Sequence, residues 1–132
     1  MSTVDTYRAD PLALRQAWND IQSAKPMRAR DAAEFLGVSE CELVASKVAD
    51  NAGRLQDEWL DILKRVTSLG KVMALTRNDS TVHERKGVYG NLSANGKMGL
   101  ALGDDIDLRL FFSQWVHGYA VTEAGDSGTK RS

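Results

Sequence analysis

The chain has 132 residues, 42% of them hydrophobic and 27% charged, which fits one folded domain and excludes a disordered, collagenous or low-complexity protein. Its 17 Lys and Arg balance 18 Asp and Glu, so the net charge of -1 excludes a global basic field that would attract nucleic acid or anionic lipid. The single cysteine, Cys41, excludes an internal disulfide, and no apolar run reaches the roughly 18 residues that a membrane helix needs.

The N-terminus carries acidic residues and no apolar stretch, so we expect residues 1–10 to be disordered or extended. This stretch lacks the features of a secretory signal, and the expected location is the cytoplasm. Asp10 is then followed by Pro11, a combination typical of a helix N-cap and first helical position. The apolar spacing that follows predicts a helix over about Pro11 to Ala24, which ends at Lys25-Pro26.

Two short helices are predicted next, one over Arg30 to Leu36 closed by Gly37, and one opened by the capping box Ser39 to Glu42 and running to about Ser46. The pair resembles a helix-turn-helix, a motif of DNA-binding regulators. However, the capping box would present two glutamates to the phosphates, and Lys47 is the only cation nearby. A structural helix pair is the favoured interpretation, and DNA binding is the alternative.

A further helix is predicted where apolar residues recur at helical spacing before Gly70: Trp59, Ile62, Leu63, Val66 and Leu69. After it the apolar period changes to two, which predicts antiparallel strands. These cover about Lys71–Thr76, Thr81–Arg85, Val88–Ser93, Lys97–Leu102, Ile106–Phe112 and Val116–Glu123. Asn95-Gly96 predicts a type I′ hairpin turn.

The predicted fold is therefore α+β, with N-terminal helices packed on an antiparallel sheet in one domain over residues 11–123. The helices fall within about residues 11–69 and the sheet within about 71–123. The tail, residues 124–132, is polar and predicts a loop, so we expect the chain to stop before a further strand.

The stretch from Asp105 to Phe112 separates by strand alternation into two faces. Asp107, Arg109 and Phe111 point to one side and the intervening aliphatic residues to the other. An arginine beside a phenylalanine offers a cation and a flat apolar wall, which suits a planar anionic ligand. From spacing alone, a pair between Arg109 and a neighbouring aspartate on a solvated face is the more common arrangement, because charged residues on one strand face are ordinary.

The two histidines are isolated in the sequence. His83 lies in a predicted strand, where an imidazole could bind iron or move protons, but one histidine without a partner is more often a surface residue. The same holds for His117, near Trp115 and Tyr119. No histidine and cysteine spacing supports a zinc site, and no glycine-rich segment matches a nucleotide-binding loop, so neither zinc nor nucleotide is expected.

Several sequence blocks, in order, resemble bacterial HemS/HmuS-type haem-utilisation proteins over about residues 11–123. The blocks are Arg28–Ala33, Gly37–Glu40 with Glu42–Leu43, Ala74–Asn78, Val82–Gly87, and Asp107–Phe111 with Gln114–Trp115. The resemblance implies a cytoplasmic protein that receives imported haem, as a carrier or as a haem-degrading enzyme. It also implies an α+β fold built from two similar halves, of which this chain resembles most of the first.

By this resemblance Arg109 and Phe111 lie beside the haem, and His83 matches a first-half histidine proposed as an iron ligand in some members. The second half usually supplies the proximal histidine, which has no counterpart here. Phe111 would pack on the porphyrin, and Arg109 would hydrogen-bond a propionate or a small ligand near the iron. Alone, the chain is expected to bind haem weakly, or through self-association or a second half-domain.

The sequence thus predicts a haem-binding protein that hands haem on or degrades it, with a downstream haem oxygenase or an electron donor as further partners and no membrane insertion. The sequence leaves open whether the chain is itself an enzyme. The alternatives are the DNA-binding regulator described above and a truncated half-domain that acts only by association.

Overall fold

The computed structural model describes residues 3–125 and 127–132. Its helices and strands, in chain order, are α1 (Thr3–Ala9), α2 (Pro11–Ala24), α3 (Ala29–Leu36), α4 (Glu40–Ala45), β1 (Ala52–Arg54), α5 (Trp59–Thr67), β2 (Val72–Arg77), β3 (Val82–Gly87), β4 (Leu92–Asn95), β5 (Met98–Leu102), β6 (Asp107–Phe111), β7 (Tyr119–Gly125) and β8 (Gly128–Arg131). This mixture of helices and antiparallel strands confirms the α+β class. None of the helices in these residues has the length and hydropathy to cross a membrane.

The length predicted one folding unit, whereas the contacts group the chain into two compact units. The terminal unit consists of the chain up to Leu55 and from His117 onward. The central unit is Gln56–Val116. Each unit therefore has its own helices and its own strands.

The terminal unit is organised around α2, which begins and ends where the sequence predicts. The Asp10 side chain accepts hydrogen bonds from the main-chain N–H groups of Leu12 and Ala13, at 3.1 and 3.3 Å. These bonds satisfy donors that have no partner within the helix. The main buried hydrophobic cluster of this unit comes from α2, α3, α4 and the turn between the last two: Leu14, Trp18, Ala32, Ala33, Val38 and Leu43.

Both ends of the terminal unit differ from the sequence prediction. Residues 3–9 form α1 rather than a disordered or extended segment, because Tyr7 packs against the buried cluster and Arg8 pairs with Glu42 at 3.2 Å. The tail is also not a loop. In it β8 pairs with β7, and Ser132 exchanges main-chain hydrogen bonds with Val121, so main-chain pairing gives this polar segment its structure.

The central unit holds α5 and two sheets. The strands β2 and β3 form a two-stranded hairpin, and β4, β5 and β6 form a three-stranded antiparallel meander. The remaining strands, β1, β7 and β8, pair with one another in the terminal unit. The described strands therefore form three sheets, whereas the period-two pattern, which contains no pairing information, predicted one.

The hairpin turn between β4 and β5 lies one residue later than predicted. Asn95 pairs with Met98, so the two turn residues are Gly96 and Lys97. Gly96 has a φ of 64°, and Lys97 is not among the residues of positive φ, which matches a type II′ rather than a type I′ turn. Because of this register, Met98 shares a face with Asn95.

Candidate functional site

The register of the meander decides which side chains share its surface. Directly opposed residues of antiparallel strands point to the same side of the sheet. The outward residues of β5 and β6 define a surface that we call the meander face: Met98 opposite Phe111, Leu100 opposite Arg109, and Leu102 opposite Asp107.

The alternation predicted for β6 is confirmed. Ile106, just before the strand, is buried, and Leu108 and Leu110 are half-buried on the inner side. The predicted outward residues, Arg109 and Phe111 among them, are exposed. The structure therefore places these two candidate site residues on one surface.

Arg109 brings the positive charge to the meander face. Within the residues that the structure describes, its guanidinium has no hydrogen bond and no ion pair, and the alternative of a pair with a neighbouring aspartate is not formed. Arg85 in the same unit differs, since its Nη2 lies 2.9 Å from Asp105 Oδ1 and its Nε donates to the Asp105 carbonyl. Arg109 is thus available for an external anion.

Apolar side chains surround this cation. Phe111 is 55% exposed and Leu102 is 46% exposed, while Met98 and Leu100 are partly exposed. Adjoining apolar groups left open to solvent are typical of a binding surface. The sequence does not identify Met98, Leu100 and Leu102 as part of this surface. Alternation places them on one side of β5, but only the register between β5 and β6 places them on the same side as Arg109.

A cluster of aromatic rings supports the meander from within the central unit. The Phe112 ring lies against Gly99, where a Cβ atom would come within 2.5 Å of it. Phe112 contacts Trp115 edge to face, with ring centroids 5.1 Å apart, and Trp115 contacts Trp59 in the same way at 5.7 Å. These rings fix the end of β6 next to Phe111.

His83 is exposed on β3, where it lies opposite Thr76. Its strand pairs only with β2 in the described part of the chain, and no hydrogen bond or ion pair there joins His83 to Arg109. The role of His83 as an iron ligand stays a prediction.

His117 belongs to the terminal unit rather than to this surface. Its Nδ1 lies 3.1 Å from Nη2 of Arg54. The strand predicted over Val116–Glu123 begins only at Tyr119, so His117 precedes it. The ring is therefore engaged with Arg54.

The helix pair α3 and α4 forms as predicted, with Gly37 at a φ of 75° between them. Two charged residues of this segment, Glu42 and Lys47, are engaged within the protein. Hydrogen bonding to Arg8 holds the pKa of the Glu42 carboxyl below its usual value. Lys47 bonds Asn19 and lies 5.1 Å from the ring centroid of Trp18. Because Lys47, the cation that follows α4, is bound internally, the geometry favours the structural helix pair.

Comparison with known proteins identifies the family of the chain. Residues 37–132 match the family model described as the haemin-degrading HemS.ChuX domain. The chain is 43% identical over 105 residues to the hemin transport protein HmuS of Yersinia pestis, and 41% identical to HemS of Yersinia enterocolitica. Each alignment covers 79% of this chain and 30% of the relative, so the chain spans about a third of these proteins.

Solved structures give the same result. Holo-PhuS, a heme-binding protein from Pseudomonas aeruginosa, matches 92% of this chain with a TM-score of 0.87 and 50% identity, over 36% of its own length. The heme-degrading enzyme ChuS of Escherichia coli O157:H7 matches with a TM-score of 0.84 and 31% identity, over 37% of its length. ChuX, at 12% identity and a TM-score of 0.70, shares the fold. The chain belongs to the HemS/ChuX haemin-degrading domain family.

Proposed function

We propose that this chain binds haem on the meander face and acts in bacterial haem utilisation, handling imported haem for transfer or oxidative degradation. The observation that carries the proposal is the guanidinium of Arg109, which has no partner in the described residues and is surrounded by Met98, Leu100 and Phe111. Haem combines a flat apolar ring with anionic propionates. The apolar side chains of this face match the ring, and the guanidinium matches a propionate.

The residues of the face divide the binding between them. Phe111 and the aliphatic side chains of β5 would cover the porphyrin, which contributes on the order of 25 cal/mol per Å² of apolar area removed from water. Arg109 would donate charge-assisted hydrogen bonds to a propionate or to a small ligand beside the iron. The donor set therefore fits haem as a face that contacts and orients the ring.

The open geometry suggests how the chain works. All six residues of the meander face are exposed or partly exposed, so the face covers one side of a bound ring. A second half-domain, or a second copy of this chain, would cover the other side. We therefore propose weak haem binding by the chain alone and tighter binding after association. Association without haem is the alternative role.

The relatives suggest the setting. PhuS is described as a heme-binding protein and ChuS as a heme-degrading enzyme. Bound haem would supply iron chemistry for oxidation, and this chain would orient the ring and set the polarity beside it. We propose a cytoplasmic protein that either passes haem to a downstream haem oxygenase or takes part in degradation with an external electron donor.

A hemin titration followed by absorbance tests the proposal. The wild type should show a saturable Soret band, and Arg109→Ala should weaken binding by roughly tenfold because a charge-assisted hydrogen bond is lost. Arg85→Ala is the matched control, since it removes an arginine of the same unit that is already paired with Asp105. His83→Ala tests the predicted iron ligand in the same series. Equal, non-saturable uptake by all four proteins would contradict haem binding at this face.

A further inference from the structure

The meander face offers a porphyrin little that binds its metal. It has no histidine, cysteine or tyrosine among its six residues. Met98 carries a thioether, which in haem proteins ligates iron together with a histidine. Asp107 carries a carboxylate, a ligand better suited to harder cations, and it lies beside Leu102 at the end of the face. The strong iron ligands must therefore come from elsewhere.

The other candidate ligands of the chain are not among the six residues of this face. His83 is on the separate β2–β3 hairpin, and His117 contacts Arg54 in the terminal unit. Cys41 belongs to the terminal unit as well. Tyr89 lies in the segment between β3 and β4, where burial raises the pKa of its phenol. Within the described residues, no hydrogen bond or ion pair joins any of these groups to Arg109.

We infer that the meander face recognises the tetrapyrrole ring and its carboxylates rather than the metal, so that this chain also binds metal-free and metal-substituted porphyrins. The inference rests on the proposed haem site and names its ligand class. Apolar contact with Phe111, Leu100 and Met98, and the charge of Arg109, are the same whether or not iron fills the ring. Affinity should then be set by the ring and its substituents.

The charges of the face limit which porphyrins fit. Arg109 is the only cation on it, and Asp107 places a carboxylate two residues away on the same strand face. A porphyrin with two propionates and apolar substituents matches one guanidinium and an apolar surface. A porphyrin with eight carboxylates would bring charges that the face leaves unpaired next to apolar side chains and Asp107, which is unfavourable.

The test is a set of titrations of the intact chain with hemin, protoporphyrin IX, zinc protoporphyrin IX and uroporphyrin, followed by porphyrin absorbance and by quenching of tryptophan fluorescence. The inference predicts dissociation constants for the first three within about threefold of one another, and at least about tenfold weaker binding of uroporphyrin. Arg109→Ala should weaken the first three by the same factor, and Arg85→Ala should leave them unchanged.

The outcomes separate the inference from the proposed function. Hemin binding at least about tenfold tighter than protoporphyrin IX, with the difference lost in His83→Ala, would overturn the inference and leave the haem site standing with His83 as its ligand. Uroporphyrin binding as tightly as hemin would also overturn it, since recognition would then depend on charge alone. Absence of saturable binding by every porphyrin would overturn the inference together with the haem site.

Discussion

Truncation of Phe111 offers a quantitative test of the meander face. The side chain is 55% exposed in the free protein. An aromatic residue has about 200 Å² to bury, so about 110 Å² of it remains open. A ring lying on one side covers about half of that area, which at about 25 cal/mol per Å² amounts to roughly 1.4 kcal/mol. Phe111→Ala should therefore weaken hemin binding about tenfold.

The assay is a hemin titration of wild type and variant, with circular dichroism to confirm that both are folded. Leu69→Ala is the matched control, because Leu69 is 69% exposed in the same unit but is not on the meander face. Phe111→Leu keeps most of the apolar area and should recover most of the affinity. If Phe111→Ala binds hemin as tightly as the wild type, or if Leu69→Ala loses as much affinity, Phe111 does not cover the porphyrin.

Three further predictions concern stability. Gly99→Ala should lower the free energy of unfolding by about 1–3 kcal/mol in urea titrations, because its methyl group would collide with the Phe112 ring. Gly53→Ala is the control and should change the free energy of unfolding little, since no atom lies within 4 Å of its new methyl group. Asp10→Ala removes the two N-cap hydrogen bonds of α2 and should cost about 1 kcal/mol in the same assay; an unchanged midpoint would contradict the capping role. The hydrogen bond to Arg8 lowers the pKa of Glu42 below its usual value of 4.5. The bond therefore stabilises the fold above pH 4.5, and this contribution is lost as the pH falls through the folded-state pKa. Arg8→Ala should flatten this part of the pH profile of stability, and a profile parallel to that of wild type would contradict the assignment.

The sequence predicted the elements that depend on local chemistry. The bounds of α2 agree with the prediction because an aspartate cap and a proline mark one end and Lys25-Pro26 the other. The two faces of β6 followed from alternation because burial on one side of a strand repeats every second residue. Alternation alone therefore predicts that Arg109 and Phe111 share a face, without knowledge of which strands are neighbours.

The features that the sequence did not predict depend on contacts between distant residues. The helix α1 has few apolar residues, and its ion pair with Glu42 joins positions 34 residues apart. The strand β8 is polar, and its structure comes from main-chain bonds to β7. The apolar half of the meander face required the register between β5 and β6, which a single strand does not contain.

Paramagnetic ferric haem broadens the NMR signals of nearby backbone amides. This broadening therefore tests most directly whether haem binds on the meander face. Added hemin should broaden the signals of Met98–Leu102 and Asp107–Phe111 first, relative to a sample with diamagnetic zinc protoporphyrin IX. Broadening centred on α3 and α4, or spread evenly over the chain, would contradict haem binding on the meander face.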